Sequence, residues 1–447
     1  MSVELQSPLG ALAEWIRAAD SHARHRLPLL ARAQRIVDGA EDAPEEQRRE
    51  LAARLERWRY QHLEEHRGRA TPLTRRLADV LDLAATRLCG GPARPPRRPR
   101  DAVCGTLRPS DELARAAAAL DPSVPLEELA SQAAELTREH FRLDSSGTGG
   151  LPARRMLLYA PLYLSSHCTN HCVYCGFRYP HAIERRHLTV AEALRQADIL
   201  RGRGLRHILL VAGDFPRLTS TPYFVSIIRA LAERGVQVAV EIAPQSLAAY
   251  AQMAAAGACG VTLYQETYDE RLYALYHPRG SKTWYDWRLE GLERAAESGM
   301  RRLGLGILLG LGDPREDLLA MLHHARYLQT RFPQHTLAFS LPRVHDAPAG
   351  FAPPFPVDDE TFVRLYCALR LGFPQAELVL STREPAALRN RLAALCITQM
   401  SAGSSTVPGG YEDGGPEHTS GGQFAVHDQR SPAAVAAWLR QAGFEVL

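Results

Sequence analysis

Eight short apolar runs alternate with amphipathic segments between residues 157 and 403. Each run has the length of a buried strand, and most of the intervening segments repeat apolar residues at the spacing of a helix. Strand and helix alternating eight times is the pattern of a closed (β/α)8 barrel, and a shorter open barrel of six units fits this count less well. The predicted strands are residues 157–165, 207–214, 237–243, 260–267, 302–312, 336–343, 377–384 and 397–403. We therefore predict an α/β fold built on a TIM-type barrel at residues 157–403.

The pattern before and after the barrel predicts further helices. Residues 1–91 place apolar side chains at three-to-four spacing among Glu and Arg, which indicates a helical N-terminal extension. Residues 110–156 predict helices that lead into the barrel, and residues 404–447 predict a glycine-rich loop and a closing helix. Residues 92–109 begin with PARPPRRPR, in which the prolines disfavour any regular element, so we predict a solvated Pro/Arg-rich linker or exposed arm there.

Composition and charge narrow the class of protein. A chain of 447 residues that is 45% hydrophobic can bury a large core. Its 53 basic and 50 acidic residues give a net charge of +3, which argues neither for nor against a polyanionic partner. The start of the sequence lacks the pattern of a signal peptide, and no apolar run approaches the ~20 residues of a membrane span. We therefore expect a cytoplasmic protein with no membrane or nucleic acid partner.

The first predicted strand runs directly into three cysteines, Cys168, Cys172 and Cys175, spaced C-x3-C-x2-C, with Tyr174 just before the third. Three thiolates can hold three irons of a [4Fe–4S] cluster, which leaves one iron open to a small molecule. A structural zinc site normally takes four ligands in C-x2–4-C pairs; no second C-x-x-C exists, although a neighbouring histidine could serve. The strand-then-loop context favours the cluster, and an oxygen-sensitive cluster fits a reducing cytoplasm. We expect the other five cysteines to be small buried hydrophobes.

Polar residues gather where several predicted strands end. In a barrel these ends share one face, which is where active sites lie, and the cysteine loop opens onto the same face. The candidate cofactor-binding residues are Tyr174, Gly213, Asp214, Glu266, Arg288, Ser401 and Gly403. The candidate catalytic or substrate-binding residues are Ser340, Arg343, Ser381 and Arg383. Structural alternatives stay open: a turn cap for Asp214, an ion pair between Glu266 and Arg288, and a surface salt bridge between Arg383 and Glu384.

Several motifs taken together resemble one enzyme family over about residues 110–440. They are APLYLSSHCTNHCVYCGF, TLYQETYDERLYALYHPRG, DWRLEGLERAAESG, LGILLGLGD, SLPR, LSTRE, QMSAGSSTVPGGY and GGQFAVHDQRSP. The sequence is similar to the aromatic amino acid lyase group of radical S-adenosylmethionine (SAM) enzymes, most closely to its 2-iminoacetate synthases, and it is related to the hydrogenase-maturation tyrosine lyases and the tryptophan lyases. This resemblance implies the radical SAM form of the barrel, with a [4Fe–4S] cluster and SAM as cofactors.

The resemblance also implies residue roles and two departures from the family pattern. It assigns the carboxylate of the amino acid substrate to Arg343, and Glu266 and Arg288 to the SAM region. Asp214 stands where the family typically has a glutamate, one methylene longer. The usual Pro-Arg-Leu-Arg after the sixth strand reads Pro-Arg-Val-His, so that His345 replaces a second arginine.

The implied reaction is cleavage of the Cα–Cβ bond of L-tyrosine, through a 5′-deoxyadenosyl radical, to 2-iminoacetate (dehydroglycine) and p-cresol. The implied setting is thiamine thiazole synthesis, with an electron donor such as flavodoxin or ferredoxin and a thiazole synthase-type partner. Two alternatives stay open: a lyase or rearranging enzyme for tryptophan or another amino acid, and a catalytically idle iron–sulfur scaffold. The sequence lacks the C-terminal C-x2-C segment of the hydrogenase-maturation enzymes, so we do not expect their second reaction.

Overall fold

Eight parallel strands close into a barrel at the centre of the molecule. The computed structural model describes residues 27–40, 43–65, 72–89, 97–104, 111–143, 154–345, 350–412 and 421–447. The strands follow each other around the barrel in chain order, and β1 closes the ring by pairing with both β8 and β2. The strands are β1 Arg154–Ser165, β2 His207–Ala212, β3 Gln237–Glu241, β4 Ala258–Thr262, β5 Arg302–Gly306, β6 Thr336–Ser340, β7 Glu377–Leu380, β8 Gln399–Ser401 and β9 Phe444–Val446.

Helices surround the barrel and precede it. Those before β1 are α1 Leu27–Asp38, α2 Glu45–Glu65, α3 Pro72–Leu88, α4 Pro99–Val103, α5 Asp111–Ala119 and α6 Leu126–Phe141. Those after β1 are α7 Val190–Gly202, α8 Thr221–Ala232, α9 Leu247–Ala255, α10 Glu270–Tyr276, α11 Tyr285–Leu289, α12 Gly291–Glu297, α13 Pro314–Arg331, α14 Asp359–Gly372, α15 Ala386–Leu395 and α16 Pro432–Gln441. A 3₁₀ turn at Ser281–Thr283 precedes α11. No helix among the described residues has the length and apolar character that crossing a membrane requires.

The predicted (β/α)8 barrel with helices before it is confirmed. Each predicted strand contains or overlaps one observed strand, and four of the eight observed strands, β4 to β7, end three or more residues before the predicted end. The ladder then continues only as isolated bridges, such as Glu266 with Ile307 and Leu309 with Arg343. These bridges fix Glu266 and Arg343 on either side of the extension of β5, because each bridge sets a backbone register. The short strand β9 was not predicted; it pairs in parallel with the start of β1.

The barrel strands are apolar because both of their faces are covered. Leu162, Leu210, Val240 and Leu303 are fully buried, and the helices that follow the strands pack around them in one continuous core. Parallel sheets that are covered in this way show continuous apolar runs instead of strict alternation. This burial explains why the strands were visible in the sequence as uninterrupted apolar stretches.

The N-terminal helices α1, α2 and α3 have their own apolar core, with Leu30, Leu55 and Leu81 among its buried members. This small core docks on the barrel side through buried polar contacts. Arg59 of α2 forms a two-pronged salt bridge with Glu290, and the Tyr60 hydroxyl donates to the same carboxylate at 2.6 Å. Burial alone would raise the pKa of Glu290, but Arg59 outweighs it and the pKa is lowered. The helical extension is therefore joined to the segment that carries the end of α11.

The predicted solvated linker at 92–109 is wrong for its described residues, 97–104. Arg97 is only 2% exposed, and Pro99 opens the helix α4, a position that suits proline. Arg97 bridges Asp82 of α3 to Glu297 of α12, at 2.5 and 2.6 Å. The guanidinium groups are buried because carboxylates from both bodies reach them, which no local sequence pattern reveals. Residues 92–96 and 105–109 of this prediction, and residues 1–26 of the predicted helical extension, lie outside the described residues.

Candidate active site

The cysteine loop follows β1 and is pinned against the end of β2. The backbone N–H of Thr169 donates to the Asp214 carbonyl at 2.9 Å, and the Asn170 amide donates to the Asp214 carboxylate at 3.0 Å. Gly213 is needed for this approach, because a Cβ there would lie 2.3 Å from the His167 carbonyl oxygen. Asp214 thus braces the loop that carries the cysteines, and its carboxylate also accepts from Ser281. These contacts differ from the turn cap that the sequence left open for Asp214, and the predicted cofactor contact of Asp214 stays a prediction.

The three thiols have the surroundings of cluster ligands. Cys172 is 5% exposed, and Cys168 and Cys175 are partly buried against Tyr163 and Phe177. Backbone N–H groups and the Gln423 amide point at the sulfurs, with Gln423 Nε2 3.7 Å from Cys175 Sγ. Hydrogen bonds to sulfur are one of the levers by which proteins tune iron–sulfur clusters.

The arrangement of the thiols distinguishes between the two kinds of metal site that the spacing allows. Among the described residues, no three His, Cys, Asp or Glu side chains converge as the ligands of a single metal ion do. A cubic cluster requires a different arrangement, because each thiolate binds its own iron. Burial raises the pKa of the Cys172 thiol, and the nearby Lys282 ammonium acts in the opposite direction. Since metal ligands must be thiolates, this cation favours occupancy of the loop by a cluster.

A cavity opens beside the cysteine loop at the C-terminal ends of the strands. It is lined by Cys172, Tyr174, Cys175, Glu241, Tyr264, Glu266, Lys282, Leu308, Pro342, Arg343, Val344, His345, Arg383, Gln423, Phe424 and Ala425. A second cavity continues from it into the barrel and shares Glu241, Tyr264, Pro342, Arg383 and Phe424 with it. Cluster ligands and charged side chains from β3 to β7 therefore face one connected space.

Glu266 stands at the centre of the polar wall next to Cys172. It is 7% exposed and has a φ of 73°, a backbone conformation that L residues adopt rarely and that clusters at functional sites. Its carboxylate accepts from the Lys282 ammonium at 2.6 Å and from the Arg288 guanidinium at 3.2 Å. Burial alone would raise the pKa of Glu266, but Lys282 and Arg288 outweigh it and the pKa is lowered. The ion pair between Glu266 and Arg288, which the sequence left open, is present.

Tyr174 belongs to a directed hydrogen-bond chain beside the cysteines. His277 Nδ1 lies 2.7 Å from the Tyr273 carbonyl, and because a carbonyl only accepts, Nδ1 carries the proton. His277 Nε2 therefore accepts the hydroxyl proton of Tyr174, at 2.8 Å. The Tyr174 oxygen is then left to accept from Lys282, at 3.0 Å. The aromatic residue before the third cysteine is thus fixed by a lysine that the sequence analysis did not single out.

Arg343 lines the cavity, but protein carboxylates occupy most of its donors. Its guanidinium donates to both oxygens of Glu384, to Asp359 at 2.8 Å and to the Val357 carbonyl at 3.0 Å. Burial alone would lower the pKa of Arg343, but Glu384 outweighs it and the pKa is raised. His345, the replacement for the family's second arginine, also contacts Glu384 at 3.1 Å. A substrate carboxylate would have to compete with these partners.

Arg383 has no comparable partner. Its guanidinium stacks on Phe424, with the carbon atom 3.4 Å from the ring centroid, and reaches the Arg343 carbonyl at 3.5 Å. Among the described residues no carboxylate lies within salt-bridge distance of it, so the predicted alternative of a surface pair with Glu384 is wrong. Burial lowers the pKa of Arg383, and the nearby acidic groups, Glu241 and Glu266 among them, offset this only in part. This arrangement suits the bidentate capture of an anionic ligand.

The remaining predicted residues divide between the inner cavity and the surrounding structure. Ser340, Ser381 and Ser401 line the inner cavity with Arg383. Gly403 packs on Pro432 with a φ of 57°, and it is not among the residues that line either cavity. The structure therefore gathers nine of the predicted residues around the connected space, which are Cys172, Cys175, Tyr174, Glu266, Ser340, Arg343, Ser381, Arg383 and Ser401.

Sequence reasoning missed Glu241, Tyr264, Lys282, Gln423 and Phe424, all of which line the cavity. Glu241 ends the strand QVAVE, where a carboxylate after an apolar run is a usable signal. Lys282 carries a stronger signal, because it is the only lysine in the sequence. Gln423 and Phe424 belong to the motif GGQFAVHDQRSP, but the sequence analysis assigned no role to these two residues; they return to the site from beyond β8.

Glu241 gives a prediction that tests the polarity of the cavity. Burial raises the pKa of its carboxyl from 4.5 to about 7, so the folded chain favours the protonated form. Below pH 4.5 the carboxyl is protonated in both the folded and the unfolded chain, and it leaves the stability unchanged. As the pH rises from 4.5 through 7, the unfolded chain releases this proton more readily than the folded chain, which destabilises the fold. We expect Glu241→Gln to be more stable than the parent by roughly 1–3 kcal/mol above pH 7 and equal to it near pH 4. Denaturant unfolding at a series of pH values measures this, and a difference that is independent of pH would contradict it. Glu139→Gln, on the exposed face of α6, is the matched control.

A further cavity lies at the opposite end of the barrel, among the amino-terminal halves of the strands. The polar side chains in its lining bond to each other: Arg302 donates to Glu377 at 2.6 Å and to Gln399 at 2.9 Å. It contains none of the three motif cysteines. Active sites of such barrels lie at the other face, so we place the chemistry at the cysteine-lined cavity.

Two family profiles match the sequence. That of the Radical SAM superfamily matches residues 162–325, which run from within β1 into α13. That of the Biotin and Thiamin Synthesis associated domain matches residues 340–445, which run from the end of β6 into β9. The first region contains the cysteine loop and Glu266, and the second contains Arg343 and Arg383.

Individual relatives agree with these profiles. 2-Iminoacetate synthase of Escherichia coli K12 is 38% identical over 321 residues, which cover 72% of this chain and 81% of that protein. 3-Methylornithine synthase of Methanosarcina barkeri is 26% identical over 278 residues, which cover 62% and 73%. Among solved structures, the FeFe-hydrogenase maturase of Carboxydothermus hydrogenoformans is 29% identical with a TM-score of 0.67, and the superposition covers 93% of this chain and 84% of that one.

These matches agree with the geometry of the site. The matched regions supply the three-cysteine loop, the Glu266 wall and both cavity arginines, and the 38% identity extends over most of the related synthase. Membership of this superfamily implies SAM and a [4Fe–4S] cluster as cofactors, which is the group that the cysteine loop suits. The chain therefore belongs to the radical SAM superfamily and is a radical SAM enzyme that resembles 2-iminoacetate synthase.

Proposed function

We propose that this enzyme cleaves the Cα–Cβ bond of L-tyrosine, giving 2-iminoacetate and p-cresol. The observation that carries the proposal is the position of Arg383, a partly buried cation without an acidic partner within salt-bridge distance among the described residues, in the same cavity as Cys172 and Cys175. The cluster and SAM, when bound at the cysteine loop, supply the single-electron chemistry that removes a hydrogen atom from the amino acid. The protein positions the amino acid next to them.

The proposed binding mode gives each end of tyrosine a partner. Arg383 binds the substrate carboxylate, while Arg343 holds Glu384 and Asp359 and shapes the wall, so the role that the family resemblance gives to Arg343 passes to its neighbour. The side chain of tyrosine enters the inner cavity, where Ser340 and Tyr264 offer hydroxyl groups and Glu241 offers a carboxyl. A site that hydrogen-bonds a substrate hydroxyl rejects analogues that lack it.

The proposed context is thiazole assembly for thiamine. 2-Iminoacetate is an imine that water hydrolyses to glyoxylate and ammonia, so a thiazole synthase-type partner that consumes it directly would preserve the product. Flavodoxin or ferredoxin would supply the electron, and a reducing cytoplasm would protect the cluster. The supporting observation is the 38% identity to 2-iminoacetate synthase over 81% of that enzyme.

The test is an anaerobic assay of the reconstituted protein with SAM and a reductant, with tyrosine and tryptophan offered separately. We expect 5′-deoxyadenosine, p-cresol and glyoxylate from tyrosine, each identified by mass spectrometry. Deoxyadenosine without p-cresol would overturn the tyrosine assignment. Indole-derived products from tryptophan would support the alternative substrate, and no deoxyadenosine with either amino acid would support the idle scaffold.

Arg383→Gln gives a sharper test of the binding mode. Loss of a charge-assisted pair costs about 1.5–3 kcal/mol, so the KM for tyrosine should rise about 10–100-fold while the KM for SAM changes little. Arg195→Gln, on the exposed face of α7, is the control and should leave both constants unchanged. Arg343→Gln separates the two arginines: a selective rise in the tyrosine KM for Arg343→Gln alone would return the carboxylate to Arg343.

A further inference from the structure

Lys282 is the only lysine in a sequence with 53 lysines and arginines together. At every other basic position this chain uses arginine, so the exception marks a place where an arginine does not serve. The lysine lies in the lining of the cavity that also holds Cys172 and Cys175, and fewer than one in twenty residues of the chain line this cavity. The coincidence of a unique residue type and the reactive cavity therefore points to a functional requirement.

The backbone delivers Lys282 to a fixed place relative to the cysteines. Its N–H donates to the Asn170 side chain at 2.9 Å, and its carbonyl accepts from the Tyr273 hydroxyl at 2.7 Å. Asn170 lies between Cys168 and Cys172 in the loop. Gly280 permits this close approach, since a Cβ there would lie 2.2 Å from the Asn170 oxygen, and it adopts a φ of 99°.

The ammonium group has two described acceptors and three N–H donors. Nζ lies 2.6 Å from the Glu266 carboxylate and 3.0 Å from the Tyr174 hydroxyl, and the side chain is 14% exposed. The direction of the Tyr174 bond is fixed, because the Tyr174 proton is used by His277. One N–H is therefore left without a described acceptor on a side chain that lines the cavity.

The local charge has a defined sign. Lys282 and Arg288 share the single carboxylate of Glu266, so this group of three side chains carries one positive charge in excess. Both cations reach the same Glu266 oxygen, and Arg288 also donates to the Tyr264 carbonyl at 2.5 Å, whereas the Lys282 ammonium keeps a third N–H donor. An ammonium is a compact point charge that can direct three donors to separate acceptors, whereas a guanidinium is planar and larger. An incoming carboxylate would complete this arrangement.

We propose that Lys282 is a ligand-binding residue whose third N–H donates to the carboxylate of an α-amino acid group in the cavity. Such a group is present on both ligands of the proposed reaction, the methionyl end of SAM and the amino acid substrate, and the inference rests on that proposed function. Lys282 also ties the ligand to the Tyr174 and Glu266 wall, so that one side chain links the bound carboxylate to the cysteine loop.

The single lysine makes the test direct, because an amine-reactive acetylating ester can modify only Lys282 and the chain N-terminus. Arg195→Lys adds an exposed reference lysine on α7, where the parent side chain is 59% exposed. The labelled protein is the full chain with its reconstituted cluster, kept anaerobic, and acetylation at each site is quantified by peptide mass spectrometry. The arms are no ligand, SAM alone, tyrosine alone and tyrosine methyl ester, which lacks the carboxylate charge.

We expect Lys282 to be acetylated without ligand and protected at least tenfold by the ligand whose carboxylate it binds, while the reference lysine reacts equally in all arms. Protection by SAM alone assigns the SAM carboxylate; protection by tyrosine but not by its methyl ester assigns the substrate carboxylate. Equal protection by tyrosine and its ester shows shielding without a carboxylate contact and overturns the substrate assignment. No labelling in the free protein, or no protection by either ligand, overturns the proposal.

Binding measurements provide the second readout. Lys282→Met should weaken the dissociation constant of the protecting ligand about 10–100-fold in equilibrium dialysis, and Lys282→Arg should fail to restore it. Full affinity in Lys282→Arg would overturn the claim that arginine does not serve. The two proposals fail separately: protection by SAM in a protein that makes no p-cresol would retain Lys282 and discard tyrosine cleavage, whereas p-cresol formation without protection would do the reverse.

Discussion

Cys172→Ala should abolish the formation of 5′-deoxyadenosine while the barrel stays folded. Three thiolates hold a cubic cluster and leave one of its irons open, whereas two thiolates do not hold it stably. Cys172 is the most buried of the three and faces the cavity with Lys282. Its truncation removes one sulfur atom and leaves the backbone bonds of the loop, such as that of Val173 N–H to the Tyr276 carbonyl, in place.

The measurements are iron content, the electron paramagnetic resonance signal of the reduced cluster, and deoxyadenosine by mass spectrometry. Far-ultraviolet circular dichroism checks the fold of the variant. Cys104→Ala is the matched control, because Cys104 is an exposed cysteine outside the motif and its truncation should change none of these quantities. Deoxyadenosine at the parent level in Cys172→Ala would show that the cluster is held elsewhere.

Arg59→Ala should have the largest effect on stability, a loss of about 3–5 kcal/mol, because it leaves the charge of Glu290 buried without its cation. Arg59 is 2% exposed, bridges Glu290 with both prongs and donates to the Ala78 carbonyl at 3.2 Å. Glu290 immediately follows α11, the helix that carries Arg288. We therefore expect the N-terminal helices to separate from the barrel at lower denaturant concentration.

Urea unfolding, followed by tryptophan fluorescence and circular dichroism, measures this change. Arg49→Ala is the control on the same helix: its exposed pair with Glu45 should contribute less than about 1 kcal/mol. The double variant Arg59→Met with Glu290→Met should recover most of the loss, since it leaves no buried charge. A midpoint for Arg59→Ala within error of the Arg49→Ala control would contradict the role of the buried pair.

The sequence contains the barrel and its cofactor loop because both are local patterns. A buried parallel strand is a continuous apolar run, and eight such runs with helices between them fix the topology before any contact is known. Cys168, Cys172 and Cys175 are close in sequence, so their spacing alone predicts three cluster ligands. The prediction that polar strand ends meet at one face also follows from parallel topology, and Glu266 and Arg383 do face one cavity.

The sequence predicts less well the contacts of a charged side chain whose partners come from distant parts of the chain. Arg343 and Arg383 follow neighbouring strands and look equivalent in sequence, yet Glu384 and Asp359 take Arg343 and leave Arg383 stacked on Phe424. In the sequence Arg97 belongs to a predicted solvated linker, whereas in the structure it forms salt bridges with Asp82 and Glu297. In each case the free-energy cost of desolvating the guanidinium competes with the gain from ion pairing. The result depends on which carboxylate comes within about 3 Å of the guanidinium.

The sequence by itself determined the (β/α)8 barrel, the three-cysteine loop at the end of β1 and the face on which the chemistry lies, since periodicity and short spacing are properties of neighbours in the chain. Only the tertiary structure decided that Arg383 stacks on Phe424 without a carboxylate of the described residues within salt-bridge distance, that Asp214 braces the cysteine loop, and that the one lysine contacts Glu266 and Tyr174. Those facts rest on distances between residues tens to hundreds of positions apart, which folding sets through burial and the pairing of charge.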